Sequence, residues 1–471
     1  MALEEIAFPT SSYPGLRASE GAGRLINCYA EPTGEGGRDI AVRHRSPGLT
    51  NFGTTARTGC RGMIEVDGTL YAAFSGQLEK FSSSGGASTN VGTLNGTKKG
   101  FFARNNAATP DKVFVDPDGN IYTFTPSATT SGFDADLPSA NSVCSIDGYL
   151  VFTIGDGRCF ATDLNAVTVN ALSFGKAEAK PDGLTRGVVW GNRLLLCGPQ
   201  TIELWTDQGL SPFPFARTEV IPVGIAGPYC ITGFEDSFSK GVFIISGDNT
   251  VRQLNGYSFE KISTPDLDGL IEDVEDKTEL EMCSYISRGH AFIEISSTTW
   301  TWVYNLNNQK WHERRKYLGT RSRITNTYYA FSKWLCGDTE TGNIQQITDV
   351  QLEIASPLVC EVQSTPVEKF PARVRVASAW FDFAVGVGDA SGTDPIATDP
   401  TVEISWSDDG GQTYSTPRQR KLGRQSRGLT RIRVNQCGTT GSQGRIWKVT
   451  MSDPVHFGLM GGKMSSELRS A

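Results

Sequence analysis

Tight turns between short apolar runs recur along most of this chain. "GMIEVDGTLYAAF" alternates around Asp67-Gly68, "KVFVDPDGNIYTF" around Asp118-Gly119 and "VCSIDGYLVFTI" around Asp147-Gly148. "GVVWGNRLLLCG" turns at Gly191-Asn192, "VFIISGDNTVRQL" at Gly247-Asp248, and two further hairpins lie near Gly289 and Gly337. Asp-Gly and Gly-Asn tolerate the positive φ of two-residue hairpin turns, and period-2 alternation on both sides reads as antiparallel strands. With Gly68, Gly119, Gly148, Gly191, Gly247, Gly289 and Gly337 as markers, the intervals are 51, 29, 43, 56, 42 and 48 residues. All but one fit a propeller blade, four strands in roughly 40–50 residues. The predicted fold is all-β: a β-propeller of six or seven blades, with a sandwich or barrel as the competing arrangement.

The flanks read differently. Residues 1–55 are rich in Pro and Gly and lack alternation, which predicts an extended N-terminal arm tied down by packing on something else. In "SPGL", Pro47 would fix φ and Gly48 supply positive φ, a type II turn aiming the arm into the first blade. The propeller is placed at 56–356. From 357 to 471 the strands lengthen, as in "VRVASAWFDFAVGVG", predicting a C-terminal β-sandwich-like domain or a closing blade.

Charge and motifs exclude several functions. The net charge of −7 argues against nucleic-acid binding through bulk charge, since such affinity rests on neutralising phosphates. The ten cysteines include no C-x-x-C pair, and His44, His290, His312 and His456 are far apart in sequence, so neither a metal site nor a cofactor is expected. Neither a G-x-S-x-G elbow nor a phosphate-binding loop occurs. No run approaches 18 apolar residues and the opening "MALEEIAFPTSSYPG" has no apolar h-region. The expectation is a protein made in the cytosol, with reduced thiols and no membrane-spanning segment.

One stretch invites an enzymatic reading. In "SWSDDGGQTYS", Ser407, Asp409, Gly411, Thr413 and Tyr414 fall at the spacing of the Asp-box hairpin found in sialidases and other propeller hydrolases. The box itself locks a turn through side-chain to backbone bonds. A glycosidase also needs paired carboxylates and usually several boxes, so the expectation is a structural hairpin and no catalysis. A glycan-binding or glycan-hydrolysing propeller is the alternative, drawing on this box and on Trp300, Trp302 and Trp311, whose alternation is also that of a blade core.

Charge runs mark two candidate interaction surfaces. Asp266 to Glu281 holds eight acids and one lysine, with Asp266, Asp268, Asp273 and Asp276 as the candidate acidic lumen or interface run. Arg418 to Arg433 holds seven basic residues and no acid, with Arg418, Arg420, Lys421, Arg424 and Arg427 as the candidate inter-subunit run. Solvated faces explain such runs, but opposite-sign patches on one chain also suit a heterologous interface that closes into a ring.

Several fragments occur together in a familiar order: "RLINCYAEP" (24–32), "RSPGLTNFG" (45–53), "KAEAKPDGL" (176–184), "TIELW" (201–205) and "GIAGPYC" (224–230). In order and spacing they resemble the packaged-DNA stabilisation proteins of podovirus-type bacteriophages, also called tail accessory factors, tail hubs or nozzle proteins. The resemblance covers most of 20–235 and weakens beyond. It implies a virion structural protein, made in the host cytoplasm and placed in the short tail as a sixfold homo-oligomeric ring of propeller subunits. Such a ring continues the DNA channel below the portal and its adaptor, retains packaged DNA with a plug or needle protein, and anchors fibres or tailspikes. DNA would pass through without sequence-specific binding during genome ejection.

Overall fold

In the computed structural model, which describes residues 2–37, 39–369 and 372–469, seven four-stranded antiparallel blades stand around one axis, five as separate sheets and two as parts of larger ones. Six are continuous in sequence, at 62–93, 101–131, 142–176, 186–221, 231–261 and 281–313. In each, the chain starts at the innermost strand and leaves by the outermost, so the inner strands form a ring. The inner strand of the seventh sheet, Ile324–Ala330, comes back against that of the first, Gly62–Val66. The fold is a seven-bladed β-propeller.

Two of the hairpin markers belong to a different turn from the rest. Gly119 and the Gly247-Asp248 pair sit between the second and third strands of their blades, whereas Gly68, Gly148, Gly191 and Gly289 sit between the first and second. The first turns of blades 2 and 5 are the longer loops 105–111 and 233–242, which carry no Asp-Gly signal. That substitution produces the uneven intervals. Gly337 lies inside the strand Lys333–Asp338, and the turn before it is made by Phe331 and Ser332, both at positive φ.

The seventh blade takes only three strands from its own stretch. Its outermost strand is Gly48–Thr54, antiparallel to Ile344–Thr348 with Leu49 opposite Ile347. The expectation of an extended arm over 1–55 is corrected here: residues 48–54 close the propeller, and they enter the seventh blade, not the first. Without them the blade would end in an unpaired edge. Leu49 and Phe52 become 1% and 6% exposed, each such burial contributing about 1.5–3 kcal/mol. Gly48 is also not the positive-φ residue of a type II turn; it begins the strand in an ordinary extended conformation. It is glycine because a Cβ would overlap the carbonyl oxygens of Val350 and Leu352. Gly48→Ala is expected to cost about 1–3 kcal/mol through overpacking, read as a lower urea midpoint. An unchanged midpoint would show that the closing strand yields freely.

The rest of the expected arm is regular β-structure as well. Ala2–Ile6, Cys28–Pro32 and Ala41–Arg45 join Arg373–Arg375, Ser378–Phe383, Ile432–Asn435 and Gly458–Arg469 in one sheet. Arg24–Ile26 joins Cys360–Gln363, Thr401–Ser407, Arg418–Lys421 and Ile446–Met451 in the facing one. Leu25, Cys28, Val362, Phe381, Trp447 and Leu459 interdigitate between the two layers, so both ends of the chain build one sandwich. Alternation was unreadable in 1–47 because the strands are three to five residues long. The second layer runs on into the propeller, since Ile26 pairs in parallel with Glu313 at the outer edge of blade 6. Sandwich and propeller thus share a continuous nine-stranded sheet.

Candidate functional site

The Asp-box hairpin turns its chemistry inward. Ser407 Oγ donates to Asp409 Oδ1 (2.7 Å) and accepts from Gly411 N (2.8 Å). The Asp409 carboxylate accepts from Gln412 N, Thr413 N and Thr413 Oγ1. These bonds, led by the Ser407 and Thr413 hydroxyls, hold its carboxyl well below the usual range. Tyr414 lies under the Lys448 ammonium, 3.9 Å from ring centre to nitrogen, and burial pushes its phenol up to about 12. The hairpin joins Thr401–Ser407 to Arg418–Lys421. Its carboxylate is spent on its own turn. Trp302 and Trp311 are blade core, 2% exposed each, and offer no platform to a sugar.

The basic run divides in two. Arg418 stacks on Trp406 and donates to Asn435 O (3.1 Å), Arg420 donates to Arg433 O (2.6 Å), and Lys421 pairs with Asp399 (2.5 Å). Arg424 and Arg427 lie in an exposed loop with Leu429, which is 97% exposed. The acidic run is the connection from blade 5 to blade 6. Thr264 caps the helix Pro265–Glu272, whose Leu267 and Ile271 are buried. Asp268 is tied to Lys261 and Ser263, and Asp276 caps the next short turn through Thr278. Asp266 is half-buried, while Asp273 and Asp276 are exposed. The two runs are not brought together within one chain: one lies on the sandwich, the other on the propeller.

The channel along the propeller axis holds charges that sequence reading did not single out. Lys99, just before the inner strand of blade 2, pairs with Glu281, the first residue of the inner strand of blade 6. Those blades are three apart in a ring of seven, so this ion pair spans the channel. Arg321 pairs with the same carboxylate (3.1 Å), and Thr325 Oγ1 and Asn326 N donate to it (2.8 Å each). Tyr229, preceding blade 5, donates across the axis to Lys99 O (2.9 Å). Burial works to raise the Glu281 carboxyl, but Lys99 and Arg321 outweigh it and hold it down to about 2. The network closes the end where the inner strands begin. Its sequence signal is slight: a charged residue just before or at the start of an innermost strand.

A second buried cluster joins propeller to sandwich. Arg314 is fully buried and donates to Pro47 O (2.8 Å), Glu353 Oε1 (3.0 Å) and Tyr285 OH (3.3 Å). Beside it all four histidines converge, although sequence separates them. The rings of His44, His290 and His312 lie 6.1, 5.0 and 6.2 Å from that of Tyr29, and His456 lies 5.4 Å from His44. Glu31 Oε2 is 3.6 Å from Nε2 of both His44 and His290. Among the described residues no three His, Cys, Asp or Glu side chains are grouped so as to hold a metal ion, and no helix is long and apolar enough to cross a membrane.

These features define a β-propeller scaffold, closed by a strand from its own N-terminal region and spanned by an ion pair where a through-channel would run. The family model described as "Bacteriophage P22 Gp10, beta-propeller" matches residues 24–350. The chain belongs to that family, the packaged-DNA stabilisation proteins of bacteriophages, and its role is that of a phage structural protein. No curated protein sequence matches it. Among solved structures it is similar to the WD40 β-propeller domain of Doa1, with TM-score 0.42 and 11% identity over 64% of this chain and 96% of that one. It is also similar to BamB from Moraxella catarrhalis, with TM-score 0.38 and 12% identity over 74% and 98%.

Proposed function

We propose that the chain forms a ring, of six copies, in the short tail of a podovirus-type bacteriophage. There it continues the DNA path below the portal and adaptor, retains the packaged genome with a plug or needle protein, and anchors fibres or tailspikes. The observation that carries this reading is the family match over 24–350. The channel geometry adds a constraint. Because Lys99 and Glu281 span each propeller, DNA would run between copies and not through a propeller axis. The net charge of −7 per chain suits a lumen wall that repels DNA and lets it slide. Asp273 and Asp276, exposed on the blade 5 to 6 connection, are the candidates for that wall or for an interface.

The exposed arginines test the ring. Arg424→Glu with Arg427→Glu leaves every hydrogen bond of Arg418, Arg420 and Lys421 in place, so folding stability should move by no more than about 0.5 kcal/mol. Ring formation should be lost, seen by electron microscopy as particles without this tail component; normal incorporation would remove the basic run from the interface. Gold-labelled antibody against the chain should mark a single vertex of each particle, and its absence from intact virions would overturn the tail reading altogether.

A further inference from the structure

The propeller channel is a blind socket. Lys99, Glu281 and Tyr229 close one end, and the inner strands finish at the other, where Glu65 and Arg104 stand beside Asp236 of the blade 5 loop. Between them is a cavity of about 610 Å³, within the usual range for a small-molecule site. Arg186, the first residue of the inner strand of blade 4, lies at the closed end. Its guanidinium is flanked by Phe101 of blade 2, 4.3 Å from the ring centre, and Phe234 of blade 5, 5.3 Å away. One nitrogen donates to Pro228 O (3.1 Å). The carboxylate whose charge acts on it, Glu235, is already occupied by Thr232 Oγ1, Gly233 N and Ser284 Oγ. Among the described residues neither Arg186 nor Arg104 has an ion-pair partner. A guanidinium offers five N–H donors in a rigid fork, and Arg186 makes one protein hydrogen bond. Arg186 is half-buried, and desolvation holds it below the usual arginine range, so it gains from an anion beside it.

We propose that this channel binds a small carboxylate-bearing group, taken bidentately by Arg186 at the channel floor. The two aromatic rings pack against the guanidinium, and the N–H groups not spent on Pro228 O match the two oxygens of a carboxylate. The lining sets Arg104 and Arg186 against Glu65, Glu235 and Asp236, a net negative wall that repels a phosphate dianion more strongly than a carboxylate and leaves the attraction to the Arg186 fork alone. Phe102 and Tyr328 on the walls suit an apolar or sugar-like body behind the carboxylate. The carboxylate has two sources, a free metabolite-sized acid or an acidic residue on a partner's peptide. The site stands independently of the ring.

Calorimetric titration of the full chain with benzoate, glucuronate and an acetylated glutamate-containing tripeptide tests it. At least one probe should bind saturably at millimolar concentration, while benzamide should not. Arg186→Lys keeps the charge but loses the fork and should weaken binding about tenfold; Arg186→Met should abolish it. Binding of benzoate or glucuronate points to a free acid, and binding of the tripeptide alone to a protein partner. Saturation by none of the three, or equal affinity in wild type and Arg186→Lys, would overturn the proposal. The lysine variant keeps the test decisive should the methionine variant fail to fold.

Discussion

Replacing Arg314 by methionine is expected to lower folding stability by about 3–5 kcal/mol, the usual result of breaking a buried ion pair from one side. The guanidinium is the shared donor for Pro47 O, Glu353 and Tyr285, and all three lie where the closing strand meets blade 6. Glu353 is 0% exposed and Glu294 1%. Burial raises both carboxyls above their ordinary range, and only Arg314 heads the forces opposing it in each. Removing the arginine takes away the largest favourable charge on both carboxylates, leaving Arg323 for Glu353 and Ser322 and Arg321 for Glu294, and cuts the bond that fixes Pro47 before the strand begins. Arg314→Met with Glu353→Leu should recover much of the loss, since an apolar pair of similar volume often replaces a buried ion pair without penalty. Equilibrium unfolding in urea, followed by tryptophan fluorescence, measures both. A single variant as stable as wild type would show that the junction is held by packing alone.

The second large effect is with pH. Burial, helped by the Arg314 charge, holds the His312 imidazole down to about 3, against an ordinary value of about 6.5. The unfolded chain therefore takes up a proton near pH 6.5 that the folded chain refuses. The contribution is complete above that pH and falls by about 1.4 kcal/mol per pH unit below it, for one proton. His44 and His456 act in the same direction, both lowered first by burial. Glu31 opposes this for His44 and Asp349 for His456, while Arg288 reinforces it for both, His290 for His44, and His44 and Arg45 for His456. Glu294 and Glu353, raised by burial, work the other way and stabilise on acidification. Glu281 titrates too low to matter in this window. Unfolding midpoints should fall between about pH 6.5 and about pH 5, and His312→Phe should flatten the slope by about one proton. An identical slope in that variant would assign the pH response elsewhere.

How far the chain could be read depended on whether a feature is local. Period-2 runs around Asp67-Gly68 or Asp147-Gly148 specify a hairpin within a dozen residues, and the Asp409 turn specifies itself within seven. Blade 5 carries the weaker local signal, because its inner strand Ile231–Thr232 is two residues long and its first turn has no Asp-Gly pair. The channel and junction were illegible for a different reason. Glu281 acquires meaning only when Lys99, far away in sequence, is brought across the axis, and the four histidines become neighbours only when the sandwich docks on blade 6.

What the sequence by itself determined was the all-β class, the blade-length repeat, and the fragments between 24 and 230 that resemble a phage tail family. Each rests on residues near one another in the chain, where turn propensity and alternation act directly. Only the tertiary structure decided that the beginning of the chain is no arm. Leu49 and Phe52 have too little alternating sequence around them to announce a strand, yet the unpaired edge of blade 7 and the open face of the C-terminal sheet both demand one. Backbone hydrogen bonds that no local segment can complete are satisfied from wherever the fold brings a partner, and in this protein both ends of the chain are the partners.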